Sequence, residues 1–248
     1  MKVSIITVAF NSELTIKDTI DSVKIQDYNN IEYVIVDGLS KDNTINIINE
    51  HHKGVLLSEK DKGIYDAMNK GIELASGDII GILNSDDFYP DSKVISEVVE
   101  VFKKSNCQAV YADLVYVDEK VTTKIIRNWV SGKFNKNSFL FGWMPPHPTL
   151  FLRKEVYQKC GKFNLSLKSA ADYELILRML YKNQISVAYL PRVTVHMRAG
   201  GQSNKSIMNR LKANKEDRMA WEINELKPFW FTLYLKPLRK VSQFIFKR

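Results

Sequence analysis

Short apolar runs rich in β-branched residues alternate with segments of helical periodicity along the first half of the chain. The runs predict buried strands at residues 2–9, 31–37, 55–58, 78–84 and 109–117. Between them, apolar residues recur three or four positions apart, which predicts helices from about residue 14, from residue 44, and over 64–75 and 92–104. This alternation predicts an α/β fold with a mostly parallel central sheet flanked by helices.

Polar and acidic residues follow each of the first four predicted strands. In parallel sheets, ligands bind beyond the carboxyl ends of the strands, and these ends meet along one edge. The residues in question are Asn11, Asp37, Glu59, Asp61, Asp86 and Asp87. Any one of them is equally compatible with a turn, because Asp and Asn favour turns. Together they predict a site.

The second half of the chain has a mixed pattern. Residues 123–128 predict an antiparallel strand, and 139–148 form an aromatic and proline-rich loop. Helices are predicted over 153–160 and 172–182, and closing strands over 185–190 and 193–197. Beyond Ser203 the composition changes to long basic helical segments. The sequence therefore predicts a catalytic domain over residues 1–203 and a helical tail over 204–248.

The net charge of +8 is concentrated in that tail. From Lys205 onward, the chain contains eleven basic residues and four acidic residues. The last twenty residues mix aromatic, aliphatic and cationic side chains, which suits the interface of an anionic membrane. An appendage packed on the core or a homodimer contact are the alternatives. Binding to nucleic acid is disfavoured, because the remaining chain is nearly neutral and its strand ends are acidic.

Two further features bear on the cellular location. Cys107 and Cys160 lie far apart in the sequence, which favours a reducing cytoplasm over a disulfide scaffold. The first apolar run is too short for a signal peptide, and no stretch of about 18 apolar residues predicts a transmembrane helix. We expect a cytoplasmic protein that is peripheral on the inner face of the cytoplasmic membrane.

The motif Asn84-Ser85-Asp86-Asp87 ends an apolar strand. Mg²⁺ and Mn²⁺ prefer oxygen ligands, and they take one or two carboxylates together with substrate phosphates. Such a cation would neutralise charge that develops on a diphosphate leaving group. A solvated turn, or the N-cap of the helix that begins near Ser92, is the alternative.

Five segments, taken in order, resemble family 2 inverting glycosyltransferases of the GT-A fold, of the bacterial surface-polysaccharide type, across about residues 1–200. They are SIITVAFN at 4–11, VDGLSKDNT at 36–44, SEKDKGIYDAMNKG at 58–71, NSDD at 84–87 and ADYEL at 171–175. Three positions depart from the pattern of that family, where acidic residues are usual: Gly38, Asn84 and Ala171. The QxxRW motif of processive synthases is missing, so we expect one sugar to be transferred per encounter.

The resemblance implies a role for each matching residue. Thr7, Ala9 and Asn11 would line the pocket for the base of a nucleotide sugar, and Asp37 would bind the uracil or ribose. Asp61, Lys62 and Asn69 would lie along the nucleotide and its diphosphate. Asp86 would contact the ribose or the metal, and Asp87 would ligate Mn²⁺ or Mg²⁺. A solvated loop lysine is the alternative for Lys62.

Asp172 resembles the catalytic base of that family. Transfer with inversion needs one carboxylate to take the proton of the acceptor hydroxyl. Because Asp172 also opens a predicted helix, an N-cap role is the alternative, and Glu174 is the second candidate for the base.

Two segments are candidates for the remaining contacts. Trp143 and His147, in the proline-rich loop, are candidates for the acceptor side of the cleft, and a packed structural loop is the alternative. Arg198 begins a segment that resembles the mobile cover of the donor, and its guanidinium suits a diphosphate.

The sequence thus predicts an enzyme that transfers a sugar, most simply from a UDP-sugar, to a lipid-linked oligosaccharide of a surface glycan. A nucleotidyltransferase on a related sheet is the second candidate, although the glycine-rich loop after the first strand is missing. A non-catalytic relative that binds glycans or nucleotides is the third.

Overall fold

The computed structural model describes residues 1–200 and 207–245. Its nine strands are β1 Val3–Ala9, β2 Ile31–Asp37, β3 Val55–Ser58, β4 Ile79–Ile82, β5 Asp87–Phe88, β6 Ala109–Val117, β7 Ile125–Trp129, β8 Phe151–Arg153 and β9 Val187–Arg198. Its α-helices are α1 Ile16–Lys24, α2 Thr44–His51, α3 Ile64–Leu74, α4 Val94–Ser105, α5 Lys154–Cys160, α6 Ala171–Ile176, α7 Ile207–Ile223 and α8 Thr232–Ile245. The predicted α/β fold class is confirmed.

The strands form one mixed sheet in the order β3-β2-β1-β4-β8-β6-β9-β5, with β7 paired to β6. The first four strands of this order are parallel, with β1 between β2 and β4. Ala9 pairs with Asp37, and Asp37 pairs with Ser58. The ends of three strands are therefore level, which brings the residues after them to one edge, as the sequence predicts.

Every residue of β1 is buried, because helices cover both faces of the sheet. Ile6 and Val8 pack into the hydrophobic cluster that includes Met68 of α3. Val3 and Ile5 belong to a second cluster, on the side of α4. Side chains alternate between the two faces of a strand, so an uninterrupted apolar run is the pattern of a strand buried on both sides.

The second half of the sheet differs from the prediction in three places. The two predicted closing strands are one strand, β9, which runs parallel to β6 with a register shift where Pro191 and Arg192 interrupt it. The strand β8 was not predicted, and it inserts antiparallel between β4 and β6. The strand β5 was not predicted either, and it pairs with the end of β9. Strands of two or three residues are too short to show periodicity in a sequence.

The proline-rich loop and the second predicted helix also take other forms. Residues of the loop form two short 3₁₀ turns, Lys136–Phe141 and His147–Thr149. The helix predicted over 172–182 starts at Ala171 and continues after α6 as a π-helix, Leu177–Lys182. Both cysteines are free thiols.

Two C-terminal helices pack on the core through part of their surface. Ala220 and Trp221 of α7 are fully buried, and Leu233 of α8 is nearly so. The Trp221 indole nitrogen donates to the Tyr173 hydroxyl of α6 at 2.9 Å. The predicted boundary at 203/204 lies outside the described residues and stays a prediction. Within residues 1–200 and 207–245, no helix is long and apolar enough to cross a membrane.

We expect Leu152→Ala to lower the free energy of unfolding by about 2–5 kcal/mol, because truncating a buried leucine removes apolar contacts and leaves a cavity. Leu152 is 0% exposed in β8, at the centre of the sheet. Leu14 is 90% exposed, so Leu14→Ala should change stability by less than about 0.5 kcal/mol. Urea denaturation followed by circular dichroism measures both. Equal losses in the two variants would contradict the assigned position of β8.

Candidate active site

Asp37 ends β2 inside the protein. Its carboxylate is fully buried. One oxygen accepts from the Ser40 backbone amide at 3.0 Å and from the Ser58 hydroxyl at 2.9 Å, and the other accepts from the Ser40 hydroxyl. These bonds tie the loop after β2 to the end of β3. Asp37 thus shapes the edge of the sheet, and its predicted contact with uracil or ribose stays a prediction.

The predicted base-pocket residues lie at the end of β1. Thr7 and Ala9 are buried, and the Thr7 hydroxyl is hydrogen-bonded to the Tyr33 hydroxyl at 3.1 Å. Asn11 is exposed and has a left-handed backbone, with φ of 51°. Its side-chain oxygen accepts from the Lys41 backbone amide at 2.8 Å. Asn11 therefore joins the loop after β1 to the loop after β2.

Asp61 occupies the space beside Gly38. A Cβ atom at Gly38 would clash with the Asp61 carboxylate and would also crowd the Phe10 ring at 3.3 Å. A side chain at position 38 would therefore require the Asp61 carboxylate, from the loop after β3, to move. Asp61 is partly exposed, and the neighbouring Lys62 side chain is exposed.

Asn69 has a structural partner. Its side-chain amide donates to the Phe163 carbonyl and accepts from the Phe163 amide, both at 2.9 Å. One turn earlier in α3, Tyr65 stacks on the Phe163 ring with 5.5 Å between centroids. These two hydrogen bonds hold the segment that precedes α6 against α3. The predicted contact of Asn69 with the donor stays a prediction.

Asp87 lies on β5 and is fully buried. The Asn84 side-chain amide donates to one of its carboxylate oxygens at 3.0 Å, and Thr19 donates to its backbone carbonyl at 2.7 Å. The other carboxylate oxygen, Oδ1, and the Asn84 side-chain oxygen are buried and have no hydrogen-bond partner among the described residues. Buried acceptors in this state are costly unless something satisfies them.

The electrostatics of the Asp86–Asp87 pair favour a cation. Burial raises the pKa of Asp87 well above its ordinary value, and the charge of Asp86 raises it further. Burial also raises the pKa of Asp86. A divalent cation would offset both effects. Residues 1–200 and 207–245 contain no group of three or more acidic, histidine or cysteine side chains that could hold a metal. The site fits a cation that takes one or two carboxylates and completes its shell with phosphate and water.

Arg198 ends β9 and is buried. Its guanidinium donates to the Asp86 carbonyl at 2.8 Å, forms an ion pair with Asp18 and lies over the Phe88 ring at 4.9 Å. The arginine therefore fixes the turn that carries the two acidic residues. Its predicted contact with the donor diphosphate stays a prediction. The segment that follows, residues 201–206, lies outside the described residues.

Asp172, at the start of α6, is partly buried. Burial raises the pKa of the Tyr116 phenol, the charge of Arg127 lowers it, and the charges of Asp87 and Asp172 add to the increase. The two carboxylates, 85 positions apart in the sequence, therefore both act electrostatically on one tyrosine of β6. The Tyr65 hydroxyl donates to Asp172 Oδ1 at 3.2 Å.

Glu174, the second candidate for the base, has a structural role in this conformation. It is nearly fully buried and receives two hydrogen bonds from the Arg178 guanidinium, at 2.8 and 3.0 Å. Asn224, the residue after α7, donates to it as well, at 2.9 Å. A carboxylate held in this way is poorly suited to accept a proton from an acceptor hydroxyl, so the geometry favours Asp172 over Glu174.

Trp143 and His147 lie in the packed loop rather than on an open surface. Trp143 is only 6% exposed, and its indole nitrogen donates to the Ser131 carbonyl at 2.8 Å. His147 packs edge-on against Phe163. Burial lowers the pKa of His147, and the nearby charge of Asp172 partly offsets this. The acceptor-side role of Trp143 and His147 stays a prediction.

Sequence reasoning missed Tyr65 and Tyr116. Tyr65 lies inside the motif of residues 58–71, four positions before Asn69 on the same helical face, and this spacing is a signal that the sequence does contain. Tyr116 lies near the end of a buried strand, where aromatic residues are common. The sequence around it therefore does not indicate that it belongs to the site.

A family model described as "Glycosyl transferase family 2" matches residues 4–161. An uncharacterised glycosyltransferase of Mycobacterium tuberculosis is 33% identical over 181 residues, which cover 71% of this chain and 68% of the relative. A PGL/p-HBAD biosynthesis glycosyltransferase of Mycobacterium bovis is 28% identical over 207 residues, covering 81% of this chain and 78% of the relative.

Solved structures show the same fold at low identity. The S. aureus TarS 1-349 structure has a TM-score of 0.71 at 18% identity, over 98% of this chain and 72% of that chain, and the fragment has also been solved with UDP and with UDP-GlcNAc. The mannosyltransferase PcManGT from Pyrobaculum calidifontis, in complex with GDP-Man and Mn²⁺, has a TM-score of 0.68 at 18% identity, over 95% of this chain and 68% of that chain. The fold, the strand-end carboxylates and the family match agree. This chain belongs to glycosyl transferase family 2 and is a glycosyltransferase with a GT-A-like fold.

Proposed function

We propose that this enzyme transfers one sugar, with inversion, from a UDP-sugar to a hydroxyl of a lipid-linked oligosaccharide. The product would enter a surface glycan such as capsule, O-antigen or exopolysaccharide. Mn²⁺ or Mg²⁺ would bind at Asp87 with help from Asp86, and Asp172 would be the general base.

The observation that carries this proposal is the contrast between the surroundings of Asp87 and Asp172. Asp87 is buried, has a raised pKa and presents an oxygen without a hydrogen-bond partner among the described residues. Asp172 is partly exposed, and one of its oxygens accepts a hydrogen bond from Tyr65. Two carboxylates in contrasting environments are suited to two different roles in one reaction.

The reaction requires one proton acceptor and one stabilised leaving group. Asp172 would take the proton from the acceptor hydroxyl as its oxygen forms a bond to the anomeric carbon. The bond from that carbon to the donor phosphate breaks, and its electron pair leaves with the nucleoside diphosphate. A divalent cation, when bound, supplies charge neutralisation for that diphosphate. Attack and departure on opposite faces of the sugar give inversion.

The donor would bind at the ends of β1, β2 and β3. Of the residues predicted there, Asn11, Asp61 and Lys62 offer partly or fully exposed polar groups, while Thr7, Ala9 and Asp37 support the loops from inside. Complexes of S. aureus TarS with UDP and UDP-GlcNAc support a uridine donor, and the PcManGT complex with GDP-Man and Mn²⁺ supports a divalent cation.

The acceptor and the membrane contact are supported by separate observations. The relative from Mycobacterium bovis is a glycosyltransferase of PGL/p-HBAD biosynthesis, which supports a glycan attached to a lipid. In the tail, Trp230 is 82% exposed, and Phe229, Tyr234 and Leu238 are also exposed. Exposed cationic residues, Lys227 and Arg239, are nearby in the sequence. We propose that residues 1–203 form the catalytic domain and that the tail, residues 204–248, holds it at the inner face of the cytoplasmic membrane.

We expect Asp87→Ala to lower metal-stimulated turnover at least about 100-fold, because charge neutralisation by a bound cation is worth several kcal/mol. Release of UDP from UDP-sugars, assayed with and without Mn²⁺, measures this. A second readout is thermal stability. Mn²⁺ and UDP at about 100 times their Kd should stabilise the wild-type protein by about 2.7 kcal/mol and Asp87→Ala by much less. Equal stabilisation of both proteins would place the cation elsewhere.

We expect Asp172→Asn to keep its affinity for the donor and to lose about 10²–10⁴-fold in the rate of sugar transfer, because the amide cannot take a proton. Calorimetric titration with UDP and Mn²⁺ measures binding, and product formation measures transfer. The matched control is Glu174→Gln, in the same helix. Glu174→Gln should instead lower the free energy of unfolding, because Glu174 accepts hydrogen bonds from Arg178 and Asn224. Undiminished transfer by Asp172→Asn would refute the assignment of the base.

We expect the protein to sediment with vesicles that contain anionic lipid, and Trp230→Ala to weaken this binding several-fold, because an exposed indole is suited to the membrane interface. Raising the salt concentration to about 0.5 M should release the protein by screening the cationic side chains. Leu14→Ala, at an exposed apolar position outside the tail, is the control and should bind as the wild type does. Absence of wild-type binding would contradict the membrane role.

A further inference from the structure

The helix that carries Asp172 is held by α7, which belongs to the C-terminal tail. We propose that Glu216 of α7 is a positioning residue for Asp172, so that the tail is part of the catalytic machinery as well as a candidate membrane contact. This inference rests on the proposed role of Asp172 as the general base.

Glu216 binds the backbone that leads into α6. One of its carboxylate oxygens accepts hydrogen bonds from the backbone amides of Lys168, Ser169 and Ala170, at 3.1, 2.6 and 3.0 Å. Ala170 is the N-cap of α6, and Asp172 follows two residues later. The three amides belong to the residues just before α6, so Glu216 fixes the backbone by which the chain enters the helix. A negative charge at this end is also favourable, because the helix dipole is positive there.

Two further side chains, from the end of α7 and the residue just after it, extend the contact along α6. The Trp221 indole donates to the Tyr173 hydroxyl, and the Asn224 amide donates to Glu174, both at 2.9 Å. Tyr173 and Glu174 are the two residues that follow Asp172. The backbone before the proposed base and the two side chains after it are therefore bonded to α7 and to the residue that follows it, which holds α6 in place on the core.

Tyr65 of α3 holds the side chain of Asp172. Its hydroxyl donates to Asp172 Oδ1 at 3.2 Å. Burial raises the pKa of Tyr65, and the charges of Asp172 and Glu216 add to this effect. With the backbone fixed by Glu216 and one carboxylate oxygen fixed by Tyr65, the orientation of Asp172 Oδ2 is determined. We assign this second oxygen to the acceptor hydroxyl.

The test compares Glu216→Ala with Glu222→Ala, a change of the same kind at an exposed position of the same helix. We expect Glu216→Ala to lower kcat for sugar transfer about 100-fold, because a displacement of about 1 Å in a catalytic group has an effect of this size. The KM for the donor and the Kd for UDP should change less than about twofold. Glu222→Ala should match the wild type in all three quantities.

A double variant separates positioning from general stability. If Glu216 acts through Asp172, adding Glu216→Ala to Asp172→Asn should not lower turnover further, because the two residues act as a unit. Glu216→Gln keeps an acceptor oxygen without the charge and should retain more activity than Glu216→Ala. It replaces Glu216→Ala in every comparison if the alanine variant does not fold.

Three outcomes would overturn the inference. One is transfer by Glu216→Ala at the wild-type rate while Asp172→Asn is inactive, which leaves the proposed function intact. Another is a loss of UDP binding in parallel with the loss of turnover, which indicates general destabilisation. The last is an additive effect in the double variant. Full activity of Asp172→Asn would instead refute the proposed function itself, and the two failures are therefore distinguishable.

Discussion

The burial of the Asp87 carboxylate constrains the whole site. Asp87 is placed on β5, which pairs with the end of β9, so that its carboxylate is enclosed rather than solvated. A buried carboxylate is stable only if its charge is compensated. Asn84 satisfies one oxygen, and Arg198 holds the adjacent backbone. The remaining oxygen is the group to which the proposed cation would bind.

The same constraint gives a reason for the position of Arg198. An arginine near the donor is easily assigned to the diphosphate, since guanidinium and phosphate have matching geometry. Here its donors reach the Asp86 carbonyl and the Asp18 carboxylate. The positive charge thus lies next to the acidic pair, and it partly offsets their mutual repulsion.

The helix that carries Asp172 is stabilised by elements that are distant in sequence. Tyr65 and Asn69 come from α3, and Glu216 and Trp221 come from α7. The first pair contacts the side chain of Asp172 and the segment before its helix, and the second pair contacts the backbone and the neighbouring residue. The aspartate is therefore oriented by partners on two sides, as pre-organised catalysis requires.

The sequence by itself determined the fold class, most strand positions and the edge at which the site lies. Apolar runs and helical periodicity are local signals, and parallel strands bring their ends together wherever the helices between them pack. The five motifs also indicated the family, which the comparisons established. What the sequence left open was the partner of each polar side chain. Asp172 and Glu174 are two positions apart in one helix, yet Asp172 is partly exposed and bonded to Tyr65, whereas Glu174 is buried and binds Arg178 and Asn224.

Only the tertiary structure decided such assignments. It placed Asn69 on Phe163, packed Trp143 into the core, filled the space beside Gly38 with Asp61 and inserted β8 into the sheet. The contacts of Asn69 with Phe163, of Asp61 with Gly38 and of β8 with its neighbouring strands each join residues more than twenty positions apart. The hydrogen bond of the Trp143 indole reaches a nearer residue, Ser131. Their geometry depends on how whole strands and helices pack, and no local pattern encodes it.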